Sequence, residues 1–143
     1  MADAELSSHP NIYERLLVIF MRLVAIATFF ALVAVFMPMS CMAWVHKRLE
    51  LGEMPQGPIV EYLARSTSAF YALHGGFLWL VSTDLKRYGP VLTYMIWTLI
   101  VCGVGLLALD LHAGMPTHWT MMEGPWVIML GVVMLVLRRK GRV

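Results

Sequence analysis

Glu61 and Arg65 stand four residues apart inside residues 57–84, a stretch long enough to cross a lipid bilayer. On a helix they share one face, with the acid N-terminal to the base, the favourable order for an ion pair. A charge at the centre of a membrane helix costs about 2.5–3.5 kcal/mol on insertion scales unless it is paired or wetted. Arg65 lies about one turn deeper than Glu61 and needs a partner more. Glu123 leads into the last apolar run and is expected to offer the guanidinium a second carboxylate. One chemistry for Glu61, Arg65 and Glu123 is a gated site for an ion, a proton or a polar ligand. The plainer one is a structural ion cluster that holds two helices in register.

Three other groups have side chains capable of chemistry. Asp110, His112 and His118, with Glu123 nearby, are acceptable ligands for zinc or another transition metal. Their spacing matches no strong motif, and H-E-x-x-H is absent, so polar loop residues are the plainer reading. His74, beside Gly75 and Gly76, raises haem ligation or a proton relay. Haem held by two histidines needs a second membrane histidine, and the other histidines fall in the tail or the loops. His74 therefore reads as a hydrogen-bonded packing residue. Met37, Met39 and Met42 near Cys41 and His46 could interest copper, but they read as gap-filling and interfacial residues. No cofactor is expected.

Cys41 and Cys102 form no Cys-x-x-Cys pair, which argues against a thiol-oxidising membrane enzyme. One follows an apolar run and the other lies inside one, positions ill-suited to a disulfide.

The elements that must position these groups follow from the apolar pattern. Hydrophobic residues make up 59% of the 143 and charged ones 14%. Mean hydropathy is +0.71. A soluble domain is about 45–50% apolar. The net charge is +2, and the basic residues cluster at segment ends. They therefore bear on membrane orientation rather than on nucleic acid. Four apolar runs predict a single integral membrane domain with spans near 15–38, 58–82, 90–110 and 118–138. The fold class expected is all-α, a four-helix transmembrane bundle, because only a helix satisfies its own backbone in lipid. The lipid bilayer is then the first partner, and a homo-oligomer or another membrane protein is compatible with the glycine faces.

Ser8 or Asn11 is expected near the first helix start. The run 16–37 is too long for a signal-peptide core and is expected to end near Pro38. Arg22 can snorkel from it to the interface. Residues 43–51 read equally as a short surface helix with Trp44 at the interface or as an irregular loop. In the second span Ser68, Ala72 and Gly76 repeat every four residues, the spacing that lets membrane helices approach closely. Thr98, Cys102 and Gly105 form a similar face on the third span, and Gly103 lies to one side. The short connection between spans two and three predicts antiparallel neighbours joined along these two faces. The last apolar run, 125–137, gives only about 20 Å of helix. A helix starting near Thr117 and kinked by Pro125 is expected instead.

Four spans place both termini on one side. That side carries Arg15, Lys86, Arg87, Arg138, Arg139, Lys140 and Arg142, against Lys47 and Arg48 on the other. The positive-inside rule makes the termini cytoplasmic, in a bacterial-type inner membrane.

The run Arg65-Ser66-Thr67-Ser68-Ala69-Phe70-Tyr71 with Gly75, the basic turn Lys86-Arg87-Tyr88 and the acid Glu123 resemble small bacterial four-span membrane proteins of a loosely DoxX-like type. The resemblance implies a helical bundle and carries over no settled activity. The small multidrug transporters also have four spans and a membrane glutamate. Their functional acid lies in the first span, where this chain has Arg22 and no acid. A non-enzymatic structural or accessory membrane protein is thus the expected class. A small transporter or proton-linked permease component using Glu61, Arg65 and Glu123 is the alternative.

Overall fold

A computed structural model describes residues 11–142, and the expectation for Ser8 lies outside them. Among these residues the chain is all helical, without strands. Helix α1 (Ile12–Phe29) starts at Asn11, whose side chain accepts a hydrogen bond from the Tyr13 amide at 3.4 Å. The path turns at Phe30 and Ala31 and resumes as α2 (Leu32–Phe36). Two tight contacts accompany the turn. Thr28 Oγ1 donates to the Val24 carbonyl at 2.9 Å, a back-bond that tends to bend helices. Gly75 of the neighbouring helix presses on the same place. α2 stops where Met37 becomes extended before Pro38.

A short helix, α3 (Met39–Arg48), follows, with His46, Lys47 and Arg48 in its last turn, where cations suit the helix dipole. α4 (Pro58–Thr83) begins at Pro58, a residue favoured in a first turn. A tight connection leads to α5 (Gly89–Ala113), with Asp84 Oδ1 accepting from the Arg87 amide at 2.9 Å. Gly114, at φ +67°, ends α5 in the left-handed conformation that glycine tolerates. α6 (Thr117–Met122) and α7 (Gly124–Gly141) continue one another across a bend at Glu123, just before Pro125.

The long helical stretches run alternately up and down. α1 packs antiparallel on α4 and on α7, and α5 packs antiparallel on α7. Lys140 lies over the Tyr13 ring, so the two described chain ends are neighbours. The core gathers toward this end: Leu17, Met21, Leu78, Leu92, Ile96 and Met134 are fully buried. Away from it, large apolar side chains face outward, Phe36 at 78% exposure and Leu111 at 68%. Water would penalise that surface, whereas lipid does not.

The expected pairing of the second and third spans is corrected here. The main partners of α4 are α1 and α2, and that of α5 is α7. The glycines in close contact differ accordingly. A Cβ on Gly75 would come 2.7 Å from the Ala25 carbonyl and from Thr28 Oγ1. A Cβ on Gly103 would meet Ile128 and the Gly124 carbonyl within 2.9 Å. Gly124 and Gly131 complete the α5–α7 seam against Leu107 and Ile100. Gly76 and Gly105 face open space, and Cys102 is exposed. Of the expected stripe on α4, Ala72 is buried, while the Ser68 hydroxyl turns back to the Ala64 carbonyl at 2.8 Å. Thr98 is half-buried on α5.

Three stretches, Ile12–Phe36, Gly89–Ala113 and Thr117–Gly141, are long and apolar enough to cross a membrane. α4 is as long but less apolar, and it is not among them.

Candidate functional site

The Met37 amide closes on the Ala34 carbonyl at 3.3 Å, and Pro38 has no N–H to donate to the Val35 carbonyl beyond it. Arg65 supplies the donor instead. Its Nη1 donates to the Val35 carbonyl. Its Nε donates to Glu61 Oε1 at 3.0 Å, and its Nη2 lies 2.9 Å from the same oxygen. The guanidinium therefore joins the carboxylate of its own helix to the exposed backbone end of α2. Both side chains are partly exposed, at 30% for Arg65 and 44% for Glu61.

Glu123 does not join them. Its Oε2 accepts from Trp119 Nε1 at 2.6 Å, across the bend between α6 and α7. The single ion pair among the described residues is Arg65 with Glu61. The expected three-residue cluster is thus two separate sites. Residue types alone could not reveal that Arg65 would choose a carbonyl. The Met37-Pro38 step was the available signal, since it marks a helix end with unpaired acceptors.

Asp110, His112 and His118 do not converge either. Among the described residues no three His, Cys, Asp or Glu side chains come close enough to share a metal ion. His112 is exposed at the end of α5. His118 Nε2 donates to the Leu49 carbonyl at 2.9 Å, tying α6 to the end of α3. Asp110 is buried at 7% exposure, and its Oδ2 has no hydrogen-bond partner. Leaving a buried acceptor unsatisfied costs about 1–3 kcal/mol, more when it is charged. Asp110→Leu replaces the unpartnered carboxyl with an apolar side chain of similar size. It is expected to raise stability by about 1 kcal/mol, read as a higher melting temperature in detergent. His74 sits half-buried on α4, and Cys41 and Cys102 are both free thiols.

At the other end Arg138 Nη1 donates to Thr93 Oγ1, linking α7 to α5. Arg22 is fixed to α4: its Nε donates to Ser82 Oγ at 3.4 Å, and its guanidinium lies 5.2 Å from the Trp79 ring centre. Each of these contacts joins two helices.

Among the described residues, an all-helical fold with three stretches long and apolar enough to cross a membrane supports a multi-pass helical membrane protein. Compared with family models, with curated proteins and with solved structures, the chain matches none.

Proposed function

We propose that this protein is a non-enzymatic structural or accessory component of a bacterial-type inner membrane, with four spans and both termini cytoplasmic. The observation that carries the reading is the commitment of Arg65 to Glu61 and to the Val35 carbonyl. A cation spent on a helix end serves assembly. A transport site in the same place would want Arg65 and Glu123 turned toward one another and toward a path, and Glu123 is engaged with Trp119.

α4 as a further span has its own support. Its 26 residues make about 39 Å of helix, more than the roughly 30 Å of hydrocarbon. It lies antiparallel against α1, and its charged pair sits near one end. The concentration of arginine and lysine at the terminal end supports the orientation. The DoxX-like kinship belongs to the same proposal and rests on residues 65–71 with Gly75.

Arg65→Leu tests the reading. It leaves the Val35 carbonyl and Glu61 without their partner, so stability is expected to fall by about 1–3 kcal/mol, and Arg65→Lys is expected to restore part of it. Thermal melting in detergent reads this, with ion and proton flux in liposomes measured alongside. A variant as stable as the parent that had lost a specific flux would replace the structural reading with the transporter.

A further inference from the structure

We propose that the seam between α1 and α4 holds one anionic glycerophospholipid, with an acyl chain in an apolar groove and its phosphate on Arg22. The inference rests on the membrane setting and not on the absence of an enzymatic reaction.

The groove has a volume of about 690 Å³ and lies between α1, α2 and α4. That is within the range of roughly 300–1,000 Å³ typical of small-molecule sites. Ile26, Phe29, Val33, Phe36 and Trp79 line it, and Gly76 forms part of its wall. It exists partly because the helix path turns at Phe30, and partly because Gly76 puts nothing into it. An apolar groove on a membrane helix pair suits an acyl chain, and what makes this one selective is the chemistry at its Trp79 end.

There the Arg22 guanidinium stacks on Trp79, held by Ser82. No carboxylate pairs with Arg22 among the described residues. An arginine fork matches phosphate oxygens in geometry and charge. Ser82 also borders a second cavity of about 450 Å³, whose lining includes the charged residues Glu14, Arg15, Asp84 and Lys86 beside Val18, Ile19 and Leu85. Asp84 is already engaged by the Arg87 amide. With Arg22 above it and Arg87 beside Asp84, the cations around this cavity outnumber its two carboxylates. A headgroup with net negative charge suits that excess. Along the seam the order is apolar groove, then guanidinium, then the cavity that carries the charged residues. A lipid presents acyl chain, phosphate and headgroup in the same order.

The test uses the full chain in a nonionic detergent, with native mass spectrometry counting retained lipid. Phosphatidylglycerol, phosphatidylcholine and a diacylglycerol of the same chains are the probes. Phosphatidylglycerol is expected to be retained roughly tenfold over phosphatidylcholine, whose choline cation meets Arg15 and Lys86, and diacylglycerol least, because it has no phosphate for Arg22. Arg22→Gln is expected to lower phosphatidylglycerol retention by roughly tenfold and to remove the advantage of the phospholipids over diacylglycerol. Gly76→Leu enters the groove from a position whose Cβ meets nothing within 4 Å, and it is expected to reduce retention of all three lipids without lowering the melting temperature. Equal retention of the two phospholipids would overturn the proposal. So would full retention by Gly76→Leu, or a stable dimer that this substitution dissociates, since a second copy would then be the groove's occupant.

Discussion

Gly103→Val is expected to drive α5 away from α7 and to leave the protein without its cooperative melting transition. The added Cβ would stand 2.7 Å from Ile128 Cγ1, 2.8 Å from the Ile128 nitrogen and 2.9 Å from the Gly124 carbonyl. Two of those three atoms are backbone, so no side-chain rotation relieves the clash. Overpacking of a rigid site costs about 1–3 kcal/mol and more where backbone must move. The loss expected is about 3 kcal/mol or more. Gly105→Val is the control. It lies two residues on, its Cβ meets nothing within 4 Å, and it is expected to be nearly neutral. Melting curves of the pair in one detergent decide the matter. Equal losses would mean that α5 does not pack on α7 through Gly103.

Gly75→Val has the second largest expected effect, on the other seam. Its Cβ would press on the Ala25 carbonyl, Thr28 Oγ1 and the Phe29 nitrogen, at 2.7, 2.7 and 3.1 Å. These atoms lie just before the turn at Phe30, so α1 would have to retreat from α4 there. The contact between Arg65 and Val35 lies further along the same pair of helices and would weaken with it. A loss of about 3 kcal/mol is expected, and Gly76→Val next door is expected to be nearly silent. Cysteine pairs placed across α1 and α4 in the two backgrounds would report whether the helices separate. Crosslinking that persists in Gly75→Val would contradict the packing described.

The contrast between these neighbouring glycines explains what the sequence could and could not convey. Proline acts locally, so the end of α2 at Met37 and the bend before Pro125 were readable from the chain. The helical character of residues 39–48 was only half readable, because Trp44 and the basic triplet fit a loop as well. A stripe of small residues tells that a helix has a face for close approach, yet not which partner uses it. On α4 the stripe admitted Gly75 or Gly76, and the position of α1 selects Gly75. On α5 the choice of Gly105 assumed α4 as the partner, and with α7 in that place Gly103 is the contact. The ionic site failed for a related reason. Arg65 has three listeners in reach of its chemistry, two carboxylates and any bare carbonyl, and a sequence displays only the carboxylates. Trp119 beside Glu123 was equally open to view, four residues away on one helical face, and would have shown that Glu123 had a nearer donor.

The main pairs join neighbouring long helices, α1 with α4 and α5 with α7, with only short helices between them. Each hairpin can close soon after its second arm leaves the ribosome, since the loop to be closed is short. The contact between α1 and α7 is different, because it joins the first long helix to the last. Met134 sits in one buried cluster with Leu17 and Met21. Until α7 has been made, part of that cluster has no cover. A chain truncated before residue 134 is therefore expected to leave Leu17 and Met21 partly uncovered and the amino-terminal hairpin open to aggregation or proteolysis.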